Sequence, residues 1–215
     1  VDCKTAEATK LTENIFRFIN IALVNELKTI YSSLGIDIWE VINAAKTKPF
    51  GFMPFYPGVG VGGHCIPIDP YYLIWKAREY KIDCRFIELA GQINHSMPAY
   101  VVSSLVDQMN LAGNSLSGQS VLVVGVSYKP DVSDDRESQS YTIMDLLQAK
   151  GAVVDYHDPH VPCIPPNRGQ WSGKCSAEWT SENLNSYGSA VICTAHQSVD
   201  YGHLANEVPL VVDAC

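Results

Sequence analysis

The sequence has no run approaching the roughly 20 apolar residues that span a bilayer, and its first residues lack the charged-then-apolar layout of a signal peptide. Both absences point away from membrane and export, and toward a cytoplasmic protein. Basic residues are scarce: Lys and Arg total 15 against 23 Asp and Glu, for a formal charge of −8, with no basic cluster. Nucleic acid is therefore not an expected partner, because neutralising phosphates takes clustered cations. The seven cysteines form no CxxC pair. Free thiols in a reducing compartment fit that pattern better than a zinc site or a disulfide scaffold. No Gly-Lys-Ser/Thr follows the glycine-rich stretch, which removes the P-loop reading.

With 215 residues, 47% of them hydrophobic, the chain can hold one large domain or two small ones. From Lys4 onward, Leu11, Ile15, Phe18, Ala22, Leu27, Ile30 and Leu34 recur at helical spacing and Gly35 closes the run. A second helix, WEVINAAK, follows a capping Asp37. YYLIWKAREY and a long segment at 85–113 continue the pattern, with Pro98 expected to start or kink a segment. Beyond GNSLSGQ the character changes to short β-branched runs separated by helical patterns: VLVVGVSY, AVVDYHD, AVICTAH and LVVDAC. Such runs indicate a parallel sheet buried on both faces. The expected fold is α/β overall: an all-helical central domain at 1–113, then a Rossmann-like parallel-sheet domain at 114–215. Ligands of such sheets bind beyond the carboxyl ends of the strands, where Lys129, Asp158, His196 and Cys215 fall.

The most unusual stretch is FMPFYPGVGVGGHCIPIDPYYL at 52–73, too rich in glycine and proline for a regular element. It is also not a dinucleotide fingerprint, since no hydrophobic strand precedes it. Asp69-Pro70 reads as a helix N-cap and first helical position, so Cys65 lies just ahead of a helix start, where partial positive charge favours a thiolate. A buried small thiol and an ordinary capping aspartate fit these residues equally well. His64 beside it is not expected to meet it usefully. Lys10 and Asn14, four apart, share a helix face, which read alone is a solvated polar face. SYKPDVSDDRES offers Lys129 and Arg136 to an anion, with a helix start at Ser138.

Taken in order, KLTEN at Lys10–Asn14, GVGGHCIPIDP around Cys65 and YKPDVSDDRES around Lys129 resemble the UDP-glucose and UDP-N-acetylhexosamine dehydrogenases over the whole chain. TKPFGFMPFYPG, YYLIWKAREY and RFIELAGQIN are most similar to the UDP-N-acetyl-D-glucosamine 6-dehydrogenases of bacterial surface-polysaccharide synthesis. UDP-N-acetylmannosamine and UDP-glucose dehydrogenases are the alternatives. The resemblance implies an NAD-dependent, four-electron oxidation of the sugar C6 alcohol to a carboxylate in two steps. Cys65 would be the nucleophile, facing both sugar and NAD. Lys10 and Asn14 would stabilise the oxygen anion, and Asp69 would serve thioester hydrolysis. Tyr56, Pro57, Gly58, Val59 and Gly60 would lie along the UDP-sugar, Tyr128 and Lys129 would touch it, and Arg136 would reach the NAD.

The family pattern also implies a homodimer, an expectation shared by the long apolar stripes of the first helix and of 85–113. It implies an NAD-binding domain ahead of Val1, absent from this chain, so that the fragment alone is not expected to turn over. Three positions depart from the pattern. Val59 stands where relatives commonly have proline, and Cys215 where they typically place a substrate-contacting arginine. The arginine that some relatives place just ahead of the glycine loop has no clear match in TKPFGFMPF. The competing reading, from another class, is a non-catalytic UDP-sugar-binding or dimerisation module.

Overall fold

The computed structural model describes all 215 residues, Val1–Cys215. They divide into two compact units, Val1–Met97 and Pro98–Cys215.

The first unit is helical. α1 (Cys3–Ser33) begins where Asp2 accepts the Thr5 N–H at 2.7 Å, and it closes at Leu34 with Gly35 at φ +69°. α2 (Ile38–Ala45) is capped by Asp37, which accepts from Trp39 N at 2.9 Å. α3 spans Asp69–Glu79. Two small cores hold these helices: Phe18 and Ala22 of α1 against Ala90, and Val24 against Ile38 and Ile42 of α2. α4 (Arg85–Leu111) runs unbroken through Pro98, which neither starts nor ends a helix. A proline forfeits one internal hydrogen bond, and the burial of Met97, Val101, Val102, Leu105 and Met109 around it outweighs that loss.

The second unit contains β1 (Ser120–Val124), α5 (Gln139–Ala149), β2 (Val153–His157), α6 (Ser181–Leu184), β3 (Ser189–Ile192), α7 (Tyr201–Glu207) and β4 (Val211–Asp213). The four strands form one parallel sheet of order β2-β1-β3-β4. β3 is buried throughout and β1 from Val121 on, which is why both read as continuous apolar runs. Edge strand β2 alternates instead, with Val154 and Tyr156 inside. The strand order reverses between β1 and β3, so the crevice for a ligand lies outside their carboxyl ends. Gly125 makes that crevice: it leaves β1 at φ +84°, and a Cβ there would collide with the Thr194 backbone beyond β3.

The cysteines overturn one expectation. Cys163 and Cys175 are joined, while Cys3, Cys65, Cys84, Cys193 and Cys215 are free. The loop after β2 folds back on itself: Ile164 N–H donates to Lys174 O at 2.8 Å, Gly173 N–H to Ile164 O at 3.0 Å and Ser176 N–H to Pro162 O at 2.8 Å. That return brings the two cysteines opposite each other as an antiparallel bridge pair. A spacing of twelve residues carries no such signal in sequence.

Candidate active site

In the first unit, the turn before α3 presents Cys65. Its carbonyl accepts the Ile68 and Asp69 N–H groups at 3.1 and 2.9 Å, leaving the thiol exposed one turn ahead of the helix. His64 was not expected to meet it, yet Cys65 Sγ lies 4.0 Å from His64 Nδ1. Gly63, at φ +86°, turns the backbone just before the pair.

Asp69 is not the N-cap that its sequence context suggested. It is the first residue of α3, Ile68 precedes it, and no side chain caps the helix. The Asp69 carboxylate instead accepts the Nδ2 amide of Asn14 on α1 at 2.5 Å. That bond spans 55 residues and joins two members of the expected catalytic set. Asn14 is 1% exposed and its other end, Oδ1, accepts from Arg17 Nη2 at 2.6 Å. Lys10 and Asp69 both line a groove of about 540 Å³ walled by Leu11, Tyr72, Trp75 and Lys76. Lys10, Asn14, Asp69 and the Cys65 turn are thus assembled on α1 and the start of α3.

The Tyr56–Gly60 loop is pinned to the same unit. Tyr56 stacks on Trp39, with centroids 5.6 Å apart, and Pro57 is buried. The Gly58 N–H donates to Asn25 Oδ1 at 3.0 Å. Asn25 Nδ2 in turn donates to Asn94 Oδ1 at 3.0 Å, and Asn94 Nδ2 to Phe18 O at 3.1 Å. Both asparagines are buried and satisfied, so the loop backbone is fixed by a polar chain that sequence reasoning did not find. Val59 and Gly60 are half-buried.

In the second unit, Tyr128 and Lys129 follow β1 at the crevice. Lys129 is exposed, its Nζ 5.4 Å from the Tyr128 ring centre, and it forms no ion pair. The loop closes where Tyr128 N–H donates to Asp134 O at 2.9 Å. Arg136 is forked onto Asp134, Nε at 2.9 Å and Nη2 at 2.6 Å, and that bond holds the Asp134 carboxyl below its usual range. α5 starts as expected, with Ser138 as its N-cap.

Beneath this loop is a buried network. Asp158 Oδ2 accepts from Val126 N at 2.8 Å, Ser127 N at 2.9 Å and Ser127 Oγ at 2.8 Å, and lies 3.1 Å from His196 Nε2. Its Oδ1 accepts from His160 N and Val161 N. Burial pushes the Asp158 carboxyl up, but the donors of Ser127 and His160 outweigh it and hold the carboxyl low. His196 Nδ1 accepts the Asp131 N–H at 3.0 Å, so the proton of the neutral ring sits on Nε2, facing Asp158. Donor atoms of Asp131, His160 and His196 lie within 4.8 Å of one another, as a cation site would require. With both His196 nitrogens engaged, the cluster instead anchors the Lys129 loop. Asp135, 4% exposed, is held by Arg168 at 2.9 and 2.8 Å and by Tyr141 Oη at 2.6 Å. Cys193 is buried, which pushes its thiol up. Burial likewise raises Cys215 to about 12, and it closes β4 near Ile192 O.

A helical unit whose exposed thiol lies on the turn leading into the Asn14–Asp69 pair, and a parallel sheet with Lys129 and Arg136 in the loop at its switch point, make this an α/β protein. The family definition "UDP-glucose/GDP-mannose dehydrogenase family, central domain" matches residues 4–96, and its "UDP binding domain" matches 122–215. The chain belongs to the UDP-glucose/GDP-mannose dehydrogenase family. It is 43% identical over 194 residues to a UDP-N-acetyl-D-glucosamine 6-dehydrogenase of Pseudomonas aeruginosa, covering 85% of this chain and 46% of that protein. It is 40% identical over 163 residues to a UDP-N-acetyl-D-mannosamine dehydrogenase of Methanococcus maripaludis, covering 76% and 36%. Among solved structures it resembles a UDP-D-ManNAc dehydrogenase from Pyrococcus horikoshii, with TM-score 0.84 and 29% identity over 100% of this chain and 49% of that one. The chain thus spans less than half the length of the curated relatives it matches. No helix is long and apolar enough to cross a membrane.

Proposed function

We propose that this chain is the central and UDP-binding part of an NAD-dependent UDP-N-acetylglucosamine 6-dehydrogenase. The observation that supports the reading is the Asn14–Asp69 bond, which joins an amide and a carboxylate next to the turn that carries Cys65. In this reading Cys65 Sγ adds to the C6 aldehyde, forming a C–S bond, while Lys10 Nζ and the second N–H of Asn14 receive the resulting oxyanion. After the second oxidation C6 is a thioester. Asp69 takes a proton from water, whose oxygen attacks C6, and the C–S bond breaks to return the thiolate and free the carboxylate.

NAD, when bound, supplies the acceptor for the two hydrides leaving C6. This chain offers it little: Arg136 is exposed but already forked onto Asp134, so the dinucleotide would share that guanidinium and find its main site elsewhere. Tyr128 and Lys129 suit the UDP diphosphate, and the Tyr56–Gly60 loop suits the sugar. C6 chemistry is indifferent to the C2 substituent, so UDP-N-acetylmannosamine and UDP-glucose belong in the same assay. A second copy of the chain is the proposed partner: Phe16, Leu23 and Ile30, seven apart on α1, are each about half exposed and form a stripe for a facing helix. A cytoplasmic setting belongs to this reading; the five free thiols accord with it and the Cys163–Cys175 bond runs against it.

Calorimetry tests the assignment. UDP-N-acetylglucosamine is expected to bind weakly and NAD negligibly. Micromolar NAD binding with no response to any UDP-sugar would overturn it.

A further inference from the structure

Asn14 can do its proposed work only if its amide points the right way, and the two ends of an amide are told apart by their partners. A carboxylate only accepts, so the Nδ2 end must face Asp69. A guanidinium only donates, so the Oδ1 end must face Arg17. Arg17 sits three residues on, the spacing at which side chains of one helix meet. The contact is short, at 2.6 Å, and charge-assisted. Arg17 is half-buried and makes no ion pair, although Glu13 lines the same groove as Arg17. Arg17 reaches Asn14 from the wall of that groove, a separate one of about 840 Å³ lined by Thr9, Thr12, Phe16, Pro54 and Phe55.

We infer that Arg17 is a positioning residue: it locks the Asn14 amide so that one N–H holds Asp69 and the other faces the substrate oxygen, and its charge strengthens both donors. This rests on the dehydrogenase reading for its consequence, but its geometric content stands apart from it. A residue merely packing α1 would give no such orientation.

The test uses Arg17→Met, which keeps length without a donor, and Arg17→Lys, which keeps a donor. In this chain labelled with nitrogen-15, the Asn14 side-chain amide pair is identified by its loss in Asn14→Asp. Arg17→Met is expected to speed its exchange with water at least about tenfold, the scale of one lost charged hydrogen bond, while Arg17→Lys keeps it within about threefold. Unchanged exchange in Arg17→Met overturns the inference. With the chain joined behind an NAD-binding domain, Arg17→Met should lower kcat about tenfold with KM for UDP-N-acetylglucosamine within twofold, and Arg17→Lys should recover most of it. Equal losses in both variants, tracking thermal stability, would mean a structural role and would also overturn it. If the parent shows no oxidation of any UDP-sugar, the dehydrogenase reading falls, and the amide exchange decides Arg17 alone.

Discussion

Replacing Asp158 with asparagine probes how the crevice loops are held. Asp158 receives six hydrogen bonds, four at Oδ2 and two at Oδ1, and its side chain is wholly buried. An amide has one acceptor end. Its better orientation keeps the oxygen toward Val126, Ser127 and His196, and turns the NH₂ group against the His160 and Val161 N–H donors. Two donors then lose their acceptor, one of them on buried Val161. At roughly 1–3 kcal/mol for each unsatisfied buried group, the variant should lose about 3 kcal/mol. Total stability of domains is about 5–15 kcal/mol, so the second unit should remain folded but open far more often. Amide exchange at Leu122 and Val123, both fully buried in β1, should accelerate roughly a hundredfold. Asp155→Asn is the control, because its bond to Lys174 is partly exposed and should matter by less than about 1 kcal/mol. Exchange within threefold of the parent in Asp158→Asn would refute the assignment of the network as the anchor of this end of the sheet.

Gly125→Ala should destabilise the second unit by at least about 2 kcal/mol in urea unfolding, since it adds left-handed strain to a clash with Thr194; a change under 0.5 kcal/mol would contradict this. Acidification should weaken the same unit in two stages. Burial lowers the His157 pKa, so the unfolded chain takes the proton first and stability begins to fall below about pH 6.5. Asp135 and Asp158 are held below the ordinary carboxyl range, so their contribution is present above about pH 4 and is lost as pH drops further. Urea midpoints flat from pH 7 to 3 would count against both. Brief substoichiometric alkylation should mark exposed Cys65 well before buried Cys193, as read by peptide mass mapping. Labelling of Cys84 ahead of Cys65 would sink that ranking.

Much of this was legible in the residues. The 3- and 4-residue spacing of α1 and its Gly35 stop fixed that helix, and the fully buried strands β1 and β3 announced themselves as unbroken apolar runs. What escaped were contacts between residues far apart in the chain. Asp69-Pro70 has the local grammar of a cap, yet the carboxylate turns to Asn14 because a charge-assisted bond from an amide donor in a part-buried site outweighs a cap open to water. Asp158 and His196 stood out individually as strand-end residues, but their pairing across 38 positions follows from strand order, which periodicity does not encode. The Asn25–Asn94 link and the Cys163–Cys175 bridge were hidden for the same reason. Arg17 was legible in principle, as a cation three residues from Asn14 on one helix face, though that spacing is common on solvated helices.

The central claim is that C6 of a UDP-sugar becomes covalently bound to Cys65, and intact-mass spectrometry tests it most directly. Asp69→Asn, joined behind an NAD-binding domain and supplied with NAD and UDP-N-acetylglucosamine, should accumulate the sugar acyl group on Cys65, because thioester hydrolysis is the step Asp69 is proposed to serve. The adduct should map to the peptide containing His64 and Cys65 and should vanish in Cys65→Ser. Formation of the uronic acid by Cys65→Ser at the parent rate, or an adduct mapping to any other cysteine, would contradict the account.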